Sequence, residues 1–216
     1  MTITHHLDDA TLLSFAAGSL PEALSAVVAA HIGVCSLCAR EIRAMERIGA
    51  SLLSSLKAEP LTKAAPVHAM LRGEADAPRS VQVRGGSDGE VPASLASIIG
   101  GGLDAIAWRR LAIGVWHYKL PLSAGAEGDL RLLKVGPGRR MPEHGHGGSE
   151  LTLMLRGSYR DKVGEFRVGD VADLDDDIEH QPIAHAETGC ICLVASDKAA
   201  KFKGLVPRLV QPLTGM

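Results

Sequence analysis

Aromatic residues are scarce in this sequence: they make up 3% of 216 positions, so a core must be built from Leu, Val, Ile and Ala. No apolar run approaches the roughly 20 residues that a membrane-spanning helix needs, and we expect no membrane segment. The N-terminal stretch MTITHHLDDATLL lacks the basic and then apolar pattern of a secretory signal. We therefore expect a cytoplasmic protein.

The sequence also lacks a strong charge imbalance, since its net charge is −2. Its longest basic groups are pairs such as Arg109-Arg110, whereas a nucleic-acid-binding protein needs a concentrated basic face. We expect no direct nucleic-acid partner. Cysteine is scarce as well, with four residues. In a chain without an export signal, such thiols are typically reduced or bind metal rather than forming disulfides.

Residues 1–56 predict a helical domain. Asp8 or Asp9 can cap a first helix, which should end before Gly18 because glycine favours the position that follows a helix. A longer helix is predicted from Cys35 to about Leu56, where apolar residues recur at intervals of three and four.

The remainder of the chain has a different pattern. Residues 57–92 are rich in Gly and Pro, as linkers are, with room for a short helix at 65–72. From about Ser94, short apolar segments alternate with turn residues, which is typical of a sandwich or barrel. The predicted fold class is multidomain α plus all-β, with a small helical domain and its linker at 1–85 and a β-barrel domain at 94–200.

A first group of metal-ligand residues lies in the helical part, in the pattern His31-x3-Cys35-x2-Cys38. These side chains share one face if the helix is continuous, and the Cys pair can still bind metal if the chain turns before it. Zinc prefers four nitrogen and sulfur ligands in a tetrahedron, so a fourth should come from His6 or its neighbour His5. The alternative is simple packing of two Cys and a His in a small core.

A second group lies in the β part, in the pattern His144-x-His146-x3-Glu150. Residues two apart on a strand share a face, and Glu150 opens an apolar strand that can return to the same interior. Two imidazoles and a carboxylate suit several divalent metals. The alternative is a degenerate motif that kept these residues without a metal. Cys190 and Cys192 alternate on a later strand, either as small core residues or as thiols near this site.

The segment HHLDDATLLSFAAGSLPEALSAVVAAHIGVCSLC resembles the zinc-binding anti-sigma domain. That family's pattern of two His and two Cys ligands matches His6, His31, Cys35 and Cys38, which the resemblance implies as the zinc ligands. Such domains bind an extracytoplasmic-function sigma factor and block its contacts with RNA polymerase. Their contact should use apolar helix faces that stay exposed, and the candidates are Met45, Ile48 and Leu52 on the long helix and residues 67–71.

The segment from Gly138 to Gly157 resembles the first cupin motif, and every fixed position is present. A second cupin motif is expected from Gly169 onward, and this resemblance implies His180 as a fourth ligand beside His144, His146 and Glu150. The second motif departs from the family pattern at three positions, where Pro, Gly and Asn are replaced by Asp175, Asp177 and Ala184. This change puts a standard cupin active site in doubt while keeping the ligand set.

A zinc anti-sigma domain followed by a cupin resembles the ChrR-type anti-sigma factors over nearly the whole chain. The resemblance implies a non-enzymatic regulator that binds and inhibits an extracytoplasmic-function (group IV) sigma factor. A cupin domain with a second divalent metal, expected to be zinc, would govern release under oxidative stress such as singlet oxygen or organic peroxides. Two alternatives stay open: a metal-dependent cupin oxygenase with a helical zinc appendage, and a zinc-domain scaffold with a purely structural cupin.

Overall fold

Helices form the N-terminal part of the protein and strands form the rest, in a computed structural model that describes residues 2–59, 91–199 and 201–202. Within these ranges the helices are α1 (Asp9–Ala16), α2 (Glu22–Ile32), α3 (Ser36–Ser55) and α4 (Ala93–Ile99). After a 3-10 turn, the strands in these ranges are β1 (Arg109–Ala112), β2 (Val115–Lys119), β3 (Asp129–Val135), β4 (His144–Gly145), β5 (Glu150–Arg160), β6 (Glu165–Arg167), β7 (Val171–Leu174), β8 (Ile183–Ala184), β9 (Cys190–Ser196) and β10 (Lys201–Phe202).

The helix boundaries follow the capping signals in the sequence. Asp8 caps α1 by accepting a hydrogen bond from the Thr11 backbone N–H at 2.6 Å, and Gly18 follows the helix with a φ of +69°. The chain turns at Gly33 after α2, and Cys35 becomes the N-cap of α3. A continuous helix from His31 to Cys38 is therefore wrong, and the alternative with a turn at Gly33 is correct. The predicted helix at 65–72 and the domain boundary at 85 lie outside the described residues.

The helix α2 joins the helical part to the β-sheet. Its apolar residues, including Leu24, Val27 and Val28, are buried in one cluster with Leu153 of β5 and Leu193 of β9. The helix α3 is instead one-sided and buries few of its residues. No single helix in the described part of the chain is long and apolar enough to cross a membrane, although α2 and α3 together pass that test as a pair bent by 120°.

The β part is an antiparallel sheet in the order β1-β2-β3-β9-β5-β6, with β7 and β8 also paired to β5. Both faces of β5 are covered. Leu151, Leu153 and Leu155 belong to the cluster that contains α2, whereas Glu150 and Thr152 line a cavity on the other side. This alternation places one face of the central strand against the helical domain and the other face toward the second group of ligand residues.

The strand predictions are largely confirmed, with one correction. Short segments separated by turn residues were expected throughout, but Glu150–Arg160 form the single long strand β5 with a register shift between Met154 and Arg156. Gly157 follows the shift with a φ of +71°, and a Cβ at this position would lie 2.1 Å from the Gly189 carbonyl oxygen. Glycine therefore allows two chain segments to approach closely without interrupting the strand.

Two candidate metal centres

The first centre gathers His6, His31, Cys35 and Cys38, whose ligand atoms all lie within 4.8 Å of one another. His31 Nε2 lies 3.3 Å from Cys38 Sγ. His6 Nδ1 lies 3.3 Å from Cys35 Sγ and 3.6 Å from Cys38 Sγ. Tetrahedral ligands at ordinary zinc bond lengths stand about 3.3–3.8 Å apart. The four side chains therefore fit a four-coordinate metal.

Burial keeps His31 and Cys38 of this centre uncharged when no metal is bound. It lowers the pKa of His31 to about 4 and raises the pKa of Cys38 to about 11. The neutral imidazole is ready to coordinate, but the thiol must lose its proton to do so. A bound cation would stabilise the thiolate, so metal binding at this centre should release protons.

The structure separates the roles of the two adjacent histidines His5 and His6. His6 enters the first centre, whereas His5 Nδ1 lies 3.3 Å from Oδ2 of Asp170, the residue directly before β7. The His5 ring also packs on Phe166, with ring centroids 4.3 Å apart. His5 therefore attaches the N-terminal arm, residues 2–8, to the β domain.

The second centre gathers His144, His146, Glu150 and His180, again with ligand atoms within 4.8 Å of one another. His144 and His180 face each other across an isolated β-bridge, and their Nε2 atoms lie 3.2 Å apart. His146 Nδ1 lies 3.4 Å from Glu150 Oε2. The second-motif histidine, which only the cupin resemblance implied, thus meets the three ligands of the first motif.

Hydrogen bonds aim two of these imidazoles at the centre. His144 Nδ1 donates to the Pro142 carbonyl at 2.9 Å, and His180 Nδ1 donates to Asp161 Oδ2 at 2.7 Å, so both Nε2 atoms are left to coordinate. His146 Nε2 is buried and has no hydrogen-bond partner among the described residues. A buried polar atom without a partner is rare, and a metal at the centre would satisfy it. The sequence reasoning missed Asp161, which lies outside both motifs.

Burial also sets the charges of the second centre. It lowers the pKa of His144 and His146 to about 4 and raises the pKa of Glu150 to about 7. In the metal-free centre, His144 and His146 are therefore neutral, and the Glu150 carboxyl group is partly protonated at neutral pH. A divalent cation would favour the ionised form of this carboxylate. The ligand set would then be three neutral imidazoles and one carboxylate.

A cavity of about 90 Å³ borders the second centre inside the barrel. His144, Glu150 and His180 form one side, and Cys190 and Cys192 lie on its wall. The two thiols thus face the interior near the centre. Burial raises the pKa of Cys190 to about 12, so its thiol is protonated at neutral pH and is a weak nucleophile. The volume equals that of about three water molecules, which suits a small molecule.

The altered second cupin motif still forms a turn. Asp175 Oδ1 accepts a hydrogen bond from the Asp177 backbone N–H at 3.1 Å, so a carboxylate stabilises the turn that Pro and Gly form in the family pattern. Ala184 lies in β8 and lines the cavity in place of Asn. His117 and His185 lie outside both centres.

Comparisons with known proteins agree with this architecture. Residues 99–200 match the family model of the ChrR cupin-like domain. The chain is 39% identical over 212 residues to the anti-sigma-E factor ChrR of Cereibacter sphaeroides, covering 98% of each. It is also similar to a chain in the crystal structure of Rhodobacter sphaeroides SigE in complex with the anti-sigma ChrR, with a TM-score of 0.77, 38% identity and coverage of 91% of this chain and 100% of that chain.

A helical domain with a sulfur-containing ligand cluster, joined to a cupin barrel, defines a cupin-containing regulatory protein. The chain belongs to the ChrR family of anti-sigma factors. The family is one of regulators rather than enzymes, so the predicted function is confirmed over the cupin oxygenase alternative. The predicted fold class, with a helical N-terminal part and a cupin C-terminal part, is also confirmed.

Proposed function

We propose that this chain binds and inhibits an extracytoplasmic-function sigma factor in the cytoplasm. The helical domain at 1–85 makes the inhibitory contact, and the cupin domain at 94–200 governs release under oxidative stress. The observation that supports this proposal most strongly is the similarity, over 91% of the chain, to an anti-sigma factor solved in complex with SigE. The cavity beside the second centre offers a place where a small molecule or reactive oxygen species can act.

The second half of α3 provides the surface for such a contact. Ile48, Leu52, Leu53 and Leu56 are each between 62% and 71% exposed. A contiguous apolar patch of this kind marks a protein interface more often than an ordinary surface. Ile48 and Leu52 were expected to form this face, whereas Met45 is partly buried against the core. Residues 67–71, the other candidate, lie outside the described residues.

The first centre is proposed to hold zinc. Two thiolates and two imidazoles form a closed tetrahedral set that leaves no position for a substrate, as in structural zinc sites. The ligands His6, His31, Cys35 and Cys38 come from the N-terminal arm, α2 and the start of α3. Zinc would therefore hold three segments together and fix the direction of α3.

The second centre is proposed to hold another divalent metal, with zinc expected. His144, His146, Glu150 and His180 supply nitrogen and oxygen only, and the cavity is lined by three of them, His144, Glu150 and His180. A bound metal would supply a Lewis-acidic position facing that cavity. The surrounding residues would exclude bulk water and orient the ligands, which suits detection of a small reactive molecule.

Replacing Leu52 and Leu53 by Asp tests the contact surface. Full-length protein would be co-expressed with extracytoplasmic-function sigma factors, including SigE of Rhodobacter sphaeroides as a probe. Charges in an apolar interface should weaken binding about 30-fold or more, since buried hot-spot residues contribute 2 kcal/mol or more each. Ile113→Asp is the matched control, because Ile113 is 71% exposed on the cupin domain. Unchanged binding by the α3 variant would exclude this face.

A further inference from the structure

The cupin domain contacts the first metal centre through the turn between β6 and β7. His31 is completely buried, and its Nδ1 donates a hydrogen bond to the carbonyl oxygen of Gly169 at 3.1 Å. The other ring nitrogen, Nε2, faces the centre. A partner on the second ring nitrogen fixes the tautomer and orientation of a metal-binding histidine. For His31 that partner lies 138 positions away along the chain.

The same turn holds the N-terminal arm immediately before His6. The Asp170 carboxylate accepts hydrogen bonds from the backbone N–H of Thr4 at 2.7 Å and of His5 at 3.1 Å. The Val171 N–H donates to the His5 carbonyl at 3.3 Å. These contacts pair the arm with the first residues of β7, so the backbone that leads into His6 is fixed by the cupin domain.

The Asp170 carboxylate is buried and connects its own turn to the N-terminal arm. It is 1% exposed, and it also accepts a hydrogen bond from the Arg167 N–H of its own turn at 2.9 Å. Burial alone would raise its pKa, but the N–H donors of Arg167, Thr4 and His5 outweigh burial and lower it. Removing this carboxylate would leave donors on both sides without their acceptor.

Other contacts hold the two domains together independently of Asp170. The apolar face of α2 packs on β5 and β9, and its residues share one core cluster with those strands. Loss of the Asp170 carboxylate should therefore leave the domains docked through α2. The contribution of Asp170 to the metal centre can thus be measured separately from domain docking.

We propose that Gly169 and Asp170 of the cupin domain form the outer shell of the N-terminal metal centre. Asp170 is a positioning residue that fixes the arm carrying His6, and Gly169 orients His31. The inference rests on the proposed metal at His6, His31, Cys35 and Cys38. It follows that this metal is held tightly only while the turn stays against the arm, so a change in the cupin that moves this turn loosens the metal.

Asp170→Asn and His5→Ala in the full-length protein test this role. Asp161→Asn is the matched control, because Asp161 and Asp170 both have side chains that are 1% exposed, but Asp161 holds His180 of the other centre. Zinc-loaded proteins would be treated with a competing chromogenic chelator and with iodoacetamide. Peptide mass spectrometry then follows alkylation of Cys35 and Cys38 separately from Cys190 and Cys192.

Loss of an outer-shell partner typically lowers metal affinity on the order of 10–100-fold. We expect zinc release and Cys35 and Cys38 alkylation in Asp170→Asn to be faster by about 10-fold or more, with a smaller change in the same direction for His5→Ala. Asp161→Asn should leave the alkylation of these two thiols at the wild-type rate while loosening the cupin metal. A merely structural defect would instead release both metals together.

Wild-type protection of Cys35 and Cys38 in a folded Asp170→Asn protein would overturn the proposal. If that variant does not fold, His5→Ala decides, because it removes a side chain of the arm without leaving a buried carboxylate unpaired. Unprotected Cys35 and Cys38 in the zinc-loaded wild type would contradict the proposed N-terminal metal itself, and the inference with it. Protection in the wild type and in both variants would contradict the inference alone.

Discussion

The two centres each use four side chains, but they differ in chemistry and surroundings. The N-terminal centre combines two sulfur and two nitrogen atoms and joins the arm, α2 and α3. The cupin centre combines three imidazoles and a carboxylate and borders a cavity of about 90 Å³. A closed set with thiolates suits the stabilisation of a small helical domain, whereas a nitrogen and oxygen set beside a cavity suits contact with a small molecule.

The two centres also share a feature that their motifs do not show. Each has a histidine whose second ring nitrogen is bound by the segment between β5 and β7. Asp161 binds His180 of the cupin centre, and Gly169 binds His31 of the N-terminal centre. A short stretch of the cupin thus lies in the outer shell of both centres. This stretch physically connects the cupin centre to the N-terminal centre, as a regulator that passes a signal between two domains requires.

The largest effect on the difference between the two centres is expected from replacing Cys35 and Cys38 together by Ser. We expect complete loss of the N-terminal metal and of sigma-factor inhibition, because structural zinc contributes on the order of 10 kcal/mol or more to folding of its domain. Metal analysis and an in vitro transcription assay measure both effects. Cys190→Ser with Cys192→Ser is the matched control and should keep the N-terminal metal. Normal inhibition by the Cys35 and Cys38 variant would contradict a structural zinc.

Replacing His144 and His146 together by Ala removes two ligands of the cupin centre and leaves the N-terminal centre unchanged. The cupin metal should be lost, while the N-terminal metal and sigma-factor binding persist and release by singlet oxygen or an organic peroxide fails. Co-purification before and after oxidant exposure measures this separation. His185→Ala serves as the control, since His185 lies outside both centres. A release response that survives loss of both histidines would favour a purely structural cupin.

A smaller effect is expected from the pH dependence of the metal-free chain. Burial lowers the pKa of His31, His144 and His146 from 6.5 to about 4 and raises the pKa of Glu150 from 4.5 to about 7. Between pH 6.5 and 4.5 the three histidines bind protons in the unfolded chain but not in the folded chain. The glutamate is protonated in the folded chain but largely ionised in the unfolded chain. The unfolded chain therefore binds more protons in this window. The free energy of unfolding should therefore fall as the pH falls through this window.

Scanning calorimetry of chelator-treated protein at pH 7 and pH 5 measures this effect. The melting temperature should be lower at pH 5. The variant His144→Gln with His146→Gln removes two of the three titrating histidines and should reduce the pH dependence. A melting temperature that is equal or higher at pH 5 in the wild type would show that these imidazoles are not buried as neutral groups.

The ligand residues could be predicted from the sequence because their spacing is short and local. His144 lies in the short strand β4 and His146 directly follows it, while Cys35 and Cys38 lie in the first turn of one helix, so local geometry already brings each pair together. The choice between His5 and His6 could not be made in this way. It depends on a contact with Asp170, which lies far away in the sequence.

The outer shell was not predictable for a related physical reason. Gly169 contributes a backbone carbonyl, which any residue possesses, and Asp161 lies in a turn with no motif spacing to mark it. Two of the shortest strands, β8 and β10 with two residues each, were also missed. They are too short to show an alternating pattern, and their pairing depends on neighbours that only the folded chain provides.

X-ray absorption at the zinc edge of the full-length protein tests the central claim most directly. The account predicts two zinc ions per chain and an average of about one sulfur ligand per zinc at roughly 2.3 Å. Loss of the cupin metal in the His144→Ala and His146→Ala variant should raise that average to about two, the number in a Cys2His2 site. One zinc per wild-type chain, or a sulfur average that stays unchanged in the variant, would contradict two chemically distinct centres.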